Sequence, residues 1–97
     1  MAFKNLLKHV DGKHVGTVVL FALSTCPWCK KTKKLLDEMG LEYDYVDVDF
    51  IQGIERNEVK NELDKIGADF SFPLIVVDNK RMIHGFDERA IRMIGHD

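Results

Sequence analysis

Cys26 and Cys29 are the two cysteines of this chain, with Pro27 and Trp28 between them. A thiolate attacks a disulfide sulfur, whereas a neutral thiol barely does. Two thiols at this spacing can close into a small disulfide ring and reopen. The motif therefore points to thiol–disulfide exchange. It follows the apolar run from Val18 to Leu23 and opens a segment with helical periodicity.

The two thiols are not equivalent. Pro27 suits the first turn of a helix, where its missing N–H costs nothing. Cys26 then stands at the helix start, where unpaired N–H groups and the helix dipole favour negative charge by about 0.3–2 kcal/mol. Lys30 and Lys31 add positive potential one turn on. Cys26 is thus the expected nucleophile. Cys29 lies one turn deeper on the same face and is the expected resolving thiol. Pro27 stiffens the link between them and lowers the entropy cost of ring closure. A structural staple is a poor alternative, because a disulfide closing so short a loop adds little stability. A zinc site is another, but the pair offers two ligands where structural zinc takes about four. His9, His14, His84 and His96 do not supply a spaced second pair. No metal ligand is expected.

The elements that must hold these thiols follow from patterning. Val15 to Leu23 is an expected strand, apolar enough to be covered on both faces. In the helix that follows, Trp28, Thr32, Leu35, Leu36 and Met39 form the inward stripe, and Gly40 ends it. Leu41 to Val48 is a second strand. Gly53 to Ile66 is a second helix, with Ile54, Leu63 and Ile66 supplying most of its apolar face. Leu74 to Val77 and Arg81 to Ile83 form a hairpin around Asp78-Asn79-Lys80. Asp87 is an N-cap for a last short helix carrying Ala90, Ile91 and Ile94. At the N-terminus, Phe3, Leu6, Leu7 and Val10 have the spacing of a short amphipathic helix. The expected fold is α/β: a four-stranded mixed sheet with helices on both faces, ordered βαβαββα, plus the extra N-terminal helix.

Composition narrows the function. A single domain over residues 1–97 is expected, and a hydrophobic fraction of 45% suffices for its core. A net charge of -2 with both signs mixed is unlike a nucleic-acid binder. No apolar run reaches transmembrane length. The first residues lack the apolar core of a signal peptide, so a cytoplasmic location is expected.

Three separated segments, Ser24-Thr25-Cys26-Pro27-Trp28-Cys29-Lys30, Ser71-Phe72-Pro73 and Gly85-Phe86-Asp87, together resemble the glutaredoxin family, within the thioredoxin-fold superfamily. Glutaredoxins typically carry tyrosine where this chain has Trp28. The resemblance spans about residues 17–94 and implies a thioredoxin-like fold. It also implies a cis Phe72-Pro73 bond facing the thiols, with the Phe72 backbone pairing an extended substrate. Gly85, Phe86 and Asp87 would receive the carboxylate end of a small thiol. Pro27, Trp28 and Lys30 complete the expected substrate-binding set.

By that resemblance the chain is a dithiol–disulfide oxidoreductase acting on protein or small-molecule disulfides, ribonucleotide reductase among the candidate partners. It would act as a monomer with no bound cofactor. The resemblance departs in two places. Leu23 stands where glutathione-using members commonly have lysine, and Ser71-Phe72 replaces a common threonine-valine. Glutathione, another low-molecular-weight thiol and a thioredoxin reductase all remain as electron donors. The alternative implied by the family is an iron–sulfur cluster or metal carrier, with Cys26 as a ligand in a dimer.

Overall fold

The computed structural model describes residues 4–96. Its strands are β1 (Lys8–Val10), β2 (Val18–Ala22), β3 (Tyr43–Asp47), β4 (Leu74–Val77) and β5 (Arg81–His84). Its helices are α1 (Pro27–Glu38), α2 (Ile54–Lys65) and α3 (Glu88–Arg92), with short 3-10 turns at Lys4–Leu6 and Val48–Phe50.

β2 is the centre of the sheet. It pairs parallel with β3 and antiparallel with β4, and all its residues are buried. Side chains alternate across a strand. Val18, Leu20 and Ala22 accordingly join one core with Cys29, Leu35 and Leu36 of α1 and Ile91 of α3. Val19 and Phe21 join the opposite core with Val59 and Leu63 of α2. The sheet is therefore covered on both faces, as expected. The parallel pair needs a crossover, and α1 supplies it. Met39 and Gly40 close α1, and Gly40 takes φ 68°, the left-handed conformation that glycine adopts without strain.

The sheet has five strands, in the order β1-β3-β2-β4-β5, rather than four. The extra strand replaces the expected N-terminal helix. Lys8 to Val10 pairs antiparallel with Tyr43 to Tyr45 and covers what would be an open edge of β3. Two helical turns of apolar spacing are too short to hold a helix against that competing pairing. Leu6 and Leu7 pack on the α2-side core and Val10 on the α1-side core. Phe3 lies outside the described residues.

Two inward assignments also change. Ile54 is 77% exposed. Nine residues separate it from Leu63, and at 3.6 residues per turn that places the two on opposite sides of α2. Val59, four residues before Leu63, fills the core position instead. Trp28 is 55% exposed, and Cys29 takes the buried position in the first turn of α1 instead. Thr32 is fully buried, and its hydroxyl donates to the Trp28 carbonyl at 2.8 Å.

Candidate functional site

β2 ends at Ala22 and α1 begins at Pro27, so a tight turn delivers the thiols to the carboxyl end of the parallel strands. In α/β sheets that end is where ligands are met. The turn is held from both sides. The Cys26 N–H donates to the Leu23 carbonyl at 3.2 Å, and the Lys30 N–H donates to the Cys26 carbonyl at 3.1 Å. The Asp49 carboxylate accepts from both the N–H and the hydroxyl of Ser24. These two hydrogen bonds hold the Asp49 carboxyl below its usual range.

Cys26 is the N-cap of α1, and Pro27 follows at the first helical position. Its Sγ accepts a hydrogen bond from the Cys29 N–H at 3.2 Å, taking the place a capping oxygen usually fills. Both cysteines are free thiols. Cys26 is partly exposed, whereas Cys29 is only 2% exposed. Burial, reinforced by hydrogen bonding to Cys26, pushes the Cys29 thiol up to about 12.

The three separated segments meet around this pair. Cys26, Phe72 and Phe86 are partly buried side chains packed against the same core. The Phe72–Pro73 peptide bond is cis, and Pro73 is buried. The Gly85 N–H donates to the Pro73 carbonyl at 2.8 Å, joining the second segment to the third. Gly85 has φ 74°, a conformation that disfavours any residue with a Cβ. Phe86 stacks on Trp28 with ring centroids 5.8 Å apart, joining the third segment to the first. Asp87 caps α3, its carboxylate accepting from the Ala90 N–H at 3.1 Å.

Four further residues enter the site: Lys31, which the sequence marked only for its charge, and Lys33, Asp47 and Asp49, which sequence patterning did not mark. Lys31 Nζ lies 5.0 Å from the Trp28 centroid and 5.6 Å from that of Phe86, within cation–π range of both. Lys33 sits 3.7 Å over the ring of Tyr45. Asp49 clamps Ser24, and Asp47 lines a cleft of about 110 Å³ shared with Leu23, Cys29, Lys30 and Lys33. The available signal was the alternation of Asp47 and Asp49 at the end of a strand parallel to the one that leads into the thiols. Lys30, expected at the site, does line this cleft.

Away from the thiols, His9, Asp11 and Glu42 bring nitrogen and carboxylate atoms within 4.8 Å of one another at the β1–β3 edge. Among the described residues, no helix is long and apolar enough to cross a membrane.

Comparison with known proteins agrees with this geometry. The family model described as Glutaredoxin matches residues 18–82. A glutaredoxin from Methanosarcina mazei is 43% identical, with a TM-score of 0.80, covering 89% of this chain and 84% of that one. Methanoredoxin from Methanosarcina acetivorans is 37% identical, with a TM-score of 0.79, covering 86% of this chain and 87% of that one. Glutaredoxin 1 of Rickettsia felis is 32% identical over 63 residues, which are 65% of this chain and 59% of the relative's length.

Proposed function

The chain belongs to the glutaredoxin family, and from that premise we propose that it is a dithiol–disulfide oxidoreductase working through Cys26 and Cys29. The observation that carries the reading is the unequal placement of two linked thiols. Cys26 is accessible at a helix N-terminus and accepts the Cys29 N–H at 3.2 Å, while Cys29 is buried one turn behind it. Cys26 Sγ is therefore the sulfur placed to meet a substrate disulfide first.

In the first step Cys26 Sγ bonds to one sulfur of the substrate disulfide, and the other sulfur leaves as a thiolate. In the second, Cys29 Sγ attacks Cys26 Sγ, the mixed disulfide breaks, and the substrate departs fully reduced. Phe72 offers its backbone to an extended substrate, in the manner of strand addition. Trp28 and Phe86 form an aromatic wall at the mouth of the site. Pro27 and Pro73 shape the floor beside the thiols. Gly85, Phe86 and Asp87 receive the carboxylate end of a small thiol, with Lys30 adding positive charge near Cys29. An external low-molecular-weight thiol or a reductase resets the pair. Leu23 supplies no charge for a second carboxylate, which favours a donor other than glutathione. Disulfide-bearing proteins are the substrates, and ribonucleotide reductase fits that class. A reducing compartment such as the cytoplasm suits this cycle.

The test is covalent trapping. Cys29→Ser protein mixed with a disulfide substrate should accumulate an adduct on Cys26, seen as one added substrate mass. If Cys26→Ser traps the adduct and Cys29→Ser does not, the role assignment is overturned.

A further inference from the structure

The second step of the cycle has a difficulty that the pair alone does not solve. Cys29 is buried, and its thiol is pushed up to about 12, so near neutral pH it holds its proton firmly. In the free protein its sulfur interacts with Cys26. Once Cys26 is bonded to substrate, that partner is a neutral disulfide sulfur and a poor proton acceptor. The proton needs another destination.

The cleft beside Cys29 offers one. Asp47 is the last residue of β3 and stands in register with Ala22, the last residue of β2. Alternation along β3 places Asp47 on the same face as Tyr43 and Tyr45, which pack into the core shared with Cys29. The small side chain of Ala22 leaves space there. The resulting cleft, about 110 Å³, is lined by Cys29, Asp47, Lys30 and Lys33. Its volume is well above the ~15 Å³ that one water requires. Asp47 is partly buried, and it is the carboxylate among the cleft-lining residues. Lys30 and Lys33 of α1 supply the opposing positive charge.

We propose that the Asp47 carboxylate accepts the Cys29 proton, through water in the cleft, as Cys29 attacks the mixed disulfide on Cys26. This rests on the roles given above to the two thiols. The Cys29 S–H bond breaks and its proton passes to Asp47. Cys29 Sγ bonds to Cys26 Sγ, and the bond from Cys26 to the substrate sulfur breaks. The electron pair leaves on the substrate sulfur as a thiolate. The substrate disulfide is the oxidant, and the protein finishes as the Cys26–Cys29 disulfide. The proton on Asp47 then returns to solvent through the cleft.

The experiment separates the two steps with 5,5′-dithiobis(2-nitrobenzoate), whose released thiolate is coloured. Reduced protein releases a first equivalent when Cys26 attacks and a second when Cys29 resolves. In Asp47→Asn the first phase should keep its rate. The second should slow by at least about tenfold near neutral pH, below the ceiling usual for a positioned base. The deficit should shrink as pH rises, because hydroxide then takes over the proton. Asp47→Glu should recover part of the rate. Should the Asn variant not fold, Asp47→Ser removes the same acceptor. An unchanged second phase overturns the proposal, and so does one slowed equally at every pH. The Cys29→Ser control must release one equivalent. If it does not, the roles of the thiols fail, whatever the result at Asp47.

Discussion

Asp49 holds Ser24 by two hydrogen bonds, one from the backbone N–H at 2.9 Å and one from the hydroxyl. Ser24 begins the turn that carries Cys26, and Asp49 follows the end of β3. The clamp thus ties the thiol-bearing turn to the neighbouring strand. The Asp49 carboxyl is lowered from its ordinary value of 3.8, chiefly by the hydrogen bond from the Ser24 side chain. A lowered carboxyl contributes stability that is present above its unfolded value and is lost as pH falls through the folded one. Asp49→Asn should therefore be less stable than the parent protein near neutral pH, with the gap closing under acid. Thermal unfolding of both proteins across an acid series measures this. A gap that does not change with pH would show that the charge on Asp49 is irrelevant.

The Cys29 thiol gives a prediction at the other end of the scale. Its folded value is raised from 9.0 to about 12, first by burial and then by hydrogen bonding to Cys26. The unfolded chain releases this proton earlier than the folded one. Stability of the reduced protein should be unaffected by this group below about pH 9 and should fall as pH rises toward about 12. Comparing reduced wild type with Cys29→Ser isolates the effect, since Tyr43, also raised by burial, titrates in both. Iodoacetamide near neutral pH should mark Cys26 at least about 100-fold faster than Cys29, as peptide mass mapping would show.

Trp28 is the single tryptophan, and its exposed ring is held by Phe86 at 5.8 Å with Lys31 over both rings. Such aromatic pairs contribute about 0.5–1.5 kcal/mol, equivalent to a factor of roughly 2–12 in an equilibrium. Phe86→Ala should shift the Trp28 fluorescence maximum and raise KM for a disulfide substrate by a similar factor. The rate of Cys26 alkylation should stay close to wild type. An unchanged KM would limit the wall to a structural part.

At the β1–β3 edge, His9 Nδ1 lies 2.7 Å from Asp44, and its Nε2 lies 3.2 Å from Asp11 and 3.4 Å from Glu42. These carboxylates raise His9 above 6.5, with the Asp44 hydrogen bond the main cause. Its contribution is fully present below the unfolded value and is lost as pH rises through the folded one. Histidine NMR titration should find His9 above 6.5, and the stability gap to His9→Gln should narrow as pH increases. Separation of β1 from β3 on that titration would appear as faster amide exchange at Val10.

The sequence by itself marked a thiol redox pair and the order of the elements from β2 onward. The Cys26–Cys29 spacing, Pro27 at the helix start, Gly40 at its end and the continuous apolar run of Val18 to Ala22 are local signals. They act over one helical turn or one strand repeat, and the structure contains each of them. Tertiary structure decided everything that depends on residues far apart in the chain. Lys8 to Val10 became a strand because β3 offered an open edge, which their own spacing does not reveal. Trp28 turned outward where Cys29 took the buried position of the first turn of α1, and Ile54 because it sits half a turn from Leu63. The burial of Cys29, the clamp of Asp49 on Ser24 and the place of Asp47 in the cleft have the same origin. Each arises where β3 is laid beside β2, which brings residues some twenty positions apart into one site. Local patterning specifies which face a side chain takes, and only the packed sheet specifies what that face meets.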